Sequence, residues 1–427
     1  MKVGFRFFQL APSIERRMFL GIIYCVAFSI PFKASFNSLF CILLFVFWLL
    51  FMVKDFEKMR LLIIGLISIL FWLALLGMIY TANVEEGLFR FQQKALLLLL
   101  PLVFGTIQLT EAEIGKIATV FVVGVLAACI VCLLMASLHW IRFGSSEHFF
   151  SLYLVDDVIV DLYPYILALL CLASIVLLSD SFLGKLQLAP FFKRPFIGIS
   201  LIVFFISIIL LLSVKQMIVA LILGVLLYAI RINRLHSFVL LTGAILMIVS
   251  SIFIIPTLRV RVQEALSEQN KENPLDQNPA IATPLNGVAL RRALWICVMD
   301  VIKENPWIGV GSGDGQDELQ KAYANREFVL AADYNRFNAH NQYLQVAVNF
   351  GIIGLCIWAC SFVVLGIIFK KNWLFLTLMG FVLFSMLTES LLETNKGTLT
   401  LSFLLTLFSF SKIDNKHALG FCGSTKK

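Results

Sequence analysis

The chain has 427 residues, of which 60% are hydrophobic and only 14% charged, and its formal net charge is +8. A single soluble core stops growing well before it needs this much apolar side chain, and the mean hydropathy of +0.93 excludes a soluble globular domain. Nor does the positive charge point to nucleic acid. The basic residues are spread through short connections between apolar runs, as the positive-inside rule describes, and are not gathered on one face.

Apolar runs of roughly 17–25 residues, long enough to cross the hydrocarbon, recur along almost the whole chain. The expected fold is an all-α polytopic membrane protein with about twelve spans, near 18–31, 36–53, 61–80, 95–109, 117–138, 162–179, 196–212, 216–230, 237–256, 343–369, 373–388 and 397–411. The first run leads from Met18 to Pro31 without a small-residue cleavage site, so it is expected to stay as a span. With a cytoplasmic N-terminus, cytoplasmic segments hold 19 lysines and arginines and the short external loops hold 6, which places both termini in the cytoplasm. Seven cysteines fall inside apolar runs and no disulfide framework is legible. Cys129 and Cys132, one helical turn apart, read as small packing residues. The division expected is spans 1–9 over residues 1–256, an external cap over 257–342, spans 10–12 over 343–411 and a cytoplasmic tail over 412–427.

Loops as long as the cap usually carry function. It opens with a polar run rich in Pro and Asn that reads as flexible. In "GVALRRALWICVMDVIKENP", Leu290, Leu294, Val298 and Ile302 recur every four residues and predict an amphipathic helix that Pro306 stops; Arg291, Trp295 and Met299 form a second row on it. A glycine-rich turn, "WIGVGSGDG", follows, then a helix expected from Gln316 to about Ala332. The glycines fit no nucleotide-binding spacing and serve a backbone turn. Asp314, Asp317 and Glu318 read as an acid-rich helix start, and no metal is expected.

The spans are nearly free of ionisable residues, which weighs against an ion pathway. Polar groups gather at the external ends instead: Lys215, the loop arginines, His340, Glu389, Glu393 and Lys396. His340, at the edge of the tenth span, is a candidate general base, because near neutral pH histidine is best placed to take a proton from a hydroxyl. The plain alternative is an interfacial histidine capping that span. Asn341 is placed to orient a phosphate or sugar, Arg336 lies one helical turn before His340, and Glu389 is placed to tune the histidine or bind acceptor sugars. Lys215 snorkelling at a helix end and Arg292 facing solvent are open readings beside donor binding.

"HNQYLQVAVNFGIIG" puts Gly351 ten residues after Asn341 and Gly354 three later, and upstream "RRALWICVMDVIKENPWIGVGSG" has an Arg-x-x-x-Trp helix, a Pro and a G-x-G-x-G turn. This order and spacing resemble the bacterial O-antigen ligase and polymerase superfamily, with specific motifs confined to about 291–354. The resemblance implies a GT-C-like fold in the bacterial inner membrane and inverting glycan transfer from undecaprenyl pyrophosphate to a hydroxyl of lipid A–core at the periplasmic face. It implies no metal or other cofactor, and no nucleotide sugar. Arg291 would hold the pyrophosphate, with Arg292 and Arg336 as further candidates, while His340 activates the acceptor. Lys215 stands where the family usually has arginine, keeping the charge without the bidentate fork. A polymerase of the same superfamily, a protein O-oligosaccharyltransferase and a polysaccharide transporter are the alternatives.

Overall fold

The computed structural model describes residues 12–52, 58–155, 159–160, 162–232, 234–266 and 287–410. The polar opening of the cap and the tail 412–427 lie outside the described residues. Helices make up most of the described residues, and no strand occurs among them. In chain order they are α1 (Pro12–Ser29), α2 (Ala34–Phe47), α3 (Lys58–Ile67), α4 (Ile69–Gly77), α5 (Val84–Lys94), α6 (Leu96–Thr106), α7 (Glu111–Phe143), α8 (Ser151–Val155), α9 (Pro164–Phe182), α10 (Pro195–Leu212), α11 (Lys215–Ala229), α12 (Arg234–Ile254), α13 (Pro256–Leu266), α14 (Gly287–Glu304), α15 (Gly315–Asn325), α16 (Gln342–Ile368), α17 (Trp373–Ser385) and α18 (Asn395–Ser409).

Each of the twelve expected spans falls on one of these helices or on a pair of them. Among the described residues six helices are long and apolar enough to cross a membrane: Ala34–Phe51, Val84–Thr106, Glu111–Phe143, Pro164–Phe182, Pro195–Leu212 and Gln342–Ile368. The pair α3 and α4 adds a seventh if counted as one span, bent by 58°. Local sequence sets the ends. Thr110 and Glu113 form a reciprocal capping box that starts α7, and Gly144, with φ of 70°, ends it in the left-handed conformation that glycine adopts freely. The helix α18 is buried from Lys396 to its end, although Thr398, Thr400, Ser402, Thr406 and Ser409 punctuate it. Other helices, not lipid, form its surroundings.

The cap is a folded unit with its own small core. Leu294, Val298 and Ile302 of the expected stripe are buried there with Cys297, Tyr323 and Phe328, and Ala347 and Val348 of α16 join the same cluster. The polar helix is shorter than expected. It ends at Asn325, Glu327 adopts a positive φ of 54°, and a π-turn over Leu330–Tyr334 follows.

The glycine-rich turn fixes the cap to the bundle. At Gly351 (φ 64°) α16 kinks, and the freed amides of Ile352 and Ile353 donate to the carbonyls of Pro306 (2.8 Å) and Trp307 (3.2 Å). Val310 and Gly311 donate in turn to Val348 O (3.0 Å) and Asn349 O (2.9 Å). A Cβ at residue 351 would lie 2.2 Å from the Trp307 carbonyl, so only glycine allows this approach. From the other side Asp314 accepts from the Ala82 and Asn83 amides at 2.7 Å each, and Ser312 donates to Ala74 O (2.7 Å). The sequence spacing Gly309, Gly311, Gly351 is thus a backbone clasp.

Candidate active site

The residues around His340 are held in place by the cap helix and by the connection between α17 and α18. Trp295, one turn beyond Arg291 on α14, donates its indole N–H to Ala339 O (3.0 Å). His340 takes a positive φ of 44°, a strained conformation for a non-glycine residue, and its amide donates to Asn338 Oδ1 (2.9 Å). Asn341 then starts α16: its Oδ1 accepts from the Tyr343 (2.9 Å) and Leu344 (3.1 Å) amides, and its Nδ2 donates to Leu387 O (2.9 Å). The start of α16 is stitched to the 386–392 stretch by Gln342, whose amide donates to Met386 O (2.9 Å) and whose Oε1 accepts from Leu392 N (2.6 Å).

This stitching sets Glu389 between His340 and Arg291. Its Oε2 lies 3.3 Å from His340 Nδ1, and its Oε1 accepts from Arg291 Nη2 at 2.5 Å. Arg291 also donates through Nε to Thr388 O and through Nη1 to Gly287 O, each at 3.0 Å, which leaves two of its five N–H donors without an acceptor among the described residues. His340, Arg291 and Glu389 are partly accessible, with side chains 27%, 29% and 12% exposed. With Nδ1 facing a carboxylate, the tautomer that protonates Nδ1 is favoured and the Nε2 lone pair is available as a base.

The other expected residues fall as follows. Lys215 is the first residue of α11 and half-buried. The next residue, Gln216, is tied to the same connection, donating to Phe384 O (2.8 Å) and bonding Thr388 through its Oε1. Arg292 is half-buried beside Arg291 on α14. Arg336 is exposed and pairs with Asp317 (2.8 Å), which also accepts from Asn83 Nδ2 (2.8 Å). It is not brought into contact with His340.

The sequence placed Glu393 among the polar groups at the external ends but did not show the ionic group that it forms with Lys94 and Arg90. Glu393, one helical turn's worth of residues beyond Glu389, pairs with Lys94 (3.3 Å) and more loosely with Arg90 (3.7 Å), and Arg90 also pairs with Glu86 (2.7 Å). Lys94 and Glu393 are buried. Burial alone would raise the Glu393 carboxyl, but Lys94 and Arg90 outweigh it and hold it below its ordinary range. The signal in the sequence was the i, i+4, i+8 series Glu86, Arg90, Lys94, an amphipathic turn ahead of an apolar run. Lys396 is likewise buried, donating to Ile30 O (3.2 Å) and to Asn37 Oδ1. Lys94, Glu393 and Lys396 are therefore buried, where Glu393 and Lys396 were expected only to gather at the external ends. Among the described residues no three His, Cys, Asp or Glu side chains are grouped to hold a metal ion.

Apolar helices of spanning length, with a histidine, a carboxylate and an arginine collected beneath a folded cap, define a multi-pass membrane protein with a polar site at one end. Residues 199–359 match the family model described as O-antigen ligase, and the match supports assigning the chain to the O-antigen ligase superfamily. The matched region runs from α10 through the cap into the middle of α16. It contains Lys215, Arg291, His340 and the glycine clasp, whereas Glu389, Arg90 and Lys94 lie outside it. No curated protein matches the chain.

Proposed function

We propose that the protein is an O-antigen ligase-like glycosyltransferase that moves a glycan from undecaprenyl pyrophosphate to a hydroxyl of lipid A–core. In this reading the chain has twelve spans of GT-C type in the bacterial inner membrane, with both termini cytoplasmic and residues 257–342 forming a periplasmic cap over the site. The observation that carries it is the bridge from Arg291 through Glu389 to His340 at 2.5 and 3.3 Å. His340 Nε2 takes the proton of the acceptor hydroxyl, and the acceptor oxygen attacks the anomeric carbon from the face opposite the pyrophosphate. The anomeric C–O bond breaks with its electron pair leaving on the carrier pyrophosphate, and the configuration inverts. Arg291, with two donors still open, and Lys215 at the start of α11 supply positive charge to the departing pyrophosphate. Glu389 fixes the imidazole and stabilises its protonated form.

The test compares envelope glycolipids from a deletion strain complemented with wild type, His340→Ala or Arg291→Lys. Long polymer missing from lipid A–core and accumulating on the carrier, restored by wild type and not by His340→Ala, supports the ligase. Arg291→Lys keeps charge but loses the fork, so clearly reduced transfer with normal membrane insertion is expected. A single repeat remaining on core would make the protein a polymerase. Full transfer by His340→Ala would sink the mechanism and favour a transporter.

A further inference from the structure

The glycine clasp carries an apolar surface that the transfer chemistry does not use. On α16 every residue from Gln342 to Gly351 is buried or half-buried, because the cap core and the main bundle core enclose these first turns. Exposed apolar side chains begin at Ile352 and Ile353 and continue through Ile357, Val363 and Ile367. From Ile352 to the end of α16 at Ile368 the chain rises about 25 Å as a helix, most of the roughly 30 Å of a hydrocarbon core. Lipid therefore starts near Ile352 on this helix, and His340 stands roughly three turns further out.

That level is where the cap returns to the bundle. Ile352 and Ile353 donate to the carbonyls of Pro306 (2.8 Å) and Trp307 (3.2 Å), so the turn after α14 lies against the first lipid-facing residues of α16. Its two leading side chains are left uncovered, Trp307 at 67% exposed and Ile308 at 57%. Tyr80 donates to Ile308 O (2.7 Å) and joins the turn to the connection after α4, where Ile79 is 80% exposed. Neither run, Trp307 to Gly313 or Gly77 to Asn83, contains a charged residue, whereas Lys303 and Glu304 just before the turn are charged and exposed. Tryptophan and tyrosine collect where membrane meets water, because their rings are apolar and their tips polar. An uncharged patch continuous with the lipid-facing side chains of α16 fits acyl chains, and offers nothing to hold an anion or a charged peptide.

We propose that the turn Pro306 to Gly311, with Ile79 and Tyr80, is a wedge immersed in the outer leaflet, its partner being phospholipid acyl chains. The cap is then hooked into the membrane at Trp307 and Ile308, and the clasp at Gly351 sets the height at which His340 stands above the hydrocarbon. Which leaflet receives the wedge follows from the topology proposed above; the immersion rests on the clasp and its exposed side chains alone.

The test reads the surroundings of Trp307 in the full-length protein in nanodiscs. Wild type and Trp307→Phe are compared, and the difference in their tryptophan emission reports Trp307. Phospholipid brominated partway along its acyl chains is expected to remove about half of this difference emission, since the bromines sit in the hydrocarbon that the wedge enters. Iodide in the buffer is expected to leave it unchanged. Quenching by iodide and not by brominated lipid overturns the wedge, because Trp307 then faces water. Resistance to both quenchers means that protein, such as a second copy of the chain, covers the patch, and this also overturns it. A photoreactive benzophenone side chain in place of Ile308 gives a second reading that does not depend on tryptophan. Adducts of phospholipid mass are expected there and with the same group in place of Ile357, and not in place of Lys321, which is 67% exposed on α15 of the cap. A yield at Ile308 no higher than at Lys321 overturns the proposal. Lipid adducts at Ile308 in a protein whose cap faces the cytoplasm keep the wedge and overturn the proposed topology instead.

Discussion

Replacing Glu389 by Gln removes one negative charge from the His340 site and almost no volume. Across the 3.3 Å between His340 Nδ1 and Glu389 Oε2, an imidazolium and a carboxylate attract by about 1.3 kcal/mol in bulk water and about 5 kcal/mol at an effective dielectric near 20. The side chains are 27% and 12% exposed, and Arg291 already shares the carboxylate, so the value sits toward the lower limit. About 2 kcal/mol of lost stabilisation for the imidazolium formed in the transition state corresponds to a fall in kcat of about 30-fold. The amide adds to this, because it can turn its N–H toward Nδ1 and so favour the tautomer that lacks a lone pair on Nε2. The assay is the initial rate of glycan transfer in proteoliposomes with saturating lipid-linked donor and acceptor. A kcat within threefold of wild type refutes the reasoning, and a rate increase would mean that Glu389 mainly restrains Arg291.

Gly351→Ala is expected to destabilise the protein by about 3 kcal/mol, because φ is 64° and the new Cβ would meet the Trp307 carbonyl at 2.2 Å; an unchanged Tm in detergent argues against the clasp. The Glu393 carboxyl is held below its ordinary range by Lys94 and Arg90, so its contribution to stability is complete above the ordinary carboxylate range and is lost as pH falls through the lowered folded-state value. Glu393→Gln should lower Tm at neutral pH and flatten the acid limb of Tm against pH, and an acid limb as steep as that of wild type counts against the pairing. Cys297 is fully buried in the cap core and burial pushes its thiol up to about 11, which leaves about one thiolate in 3,000 at pH 7.5. In a variant keeping only this cysteine, maleimide should label slowly until denaturant is added; rapid labelling of the native protein would show that the cap opens.

Much of the helical architecture was legible because apolar run length is a strong signal. Every expected span lies on a helix or helix pair, and the stripe Leu294, Val298, Ile302 is buried as its spacing required. What escaped were features set by tertiary contacts. No local pattern announces the 58° bend between α3 and α4, and the kink at Gly351 exists because the Pro306 and Trp307 carbonyls take over the freed amides. The predicted helix to Ala332 failed at Glu327, whose positive φ interrupts a sequence with adequate helix formers. At the site, His340 and Asn341 stood out through a local motif. Their ties to Glu389 and Leu387 join residues 49 and 46 positions apart, a distance at which periodicity is silent. Lys94 drew no attention in the sequence because its partner, Glu393, is 299 residues away.

The burial of α18 has a consequence for how the protein is made. Among the described helices it is the last to leave the ribosome, yet it fills the space between walls laid down hundreds of residues earlier: Ser402 donates to Leu96 O (2.7 Å) and Phe403 packs on Phe104 and Phe121. Until it inserts, the earlier helices enclose an unfilled seam and Lys94 waits without its carboxylate. A half-translated chain therefore lacks Glu389 and Glu393, and the bridge from Arg291 through Glu389 to His340 can form only once the chain has been made up to the connection before α18.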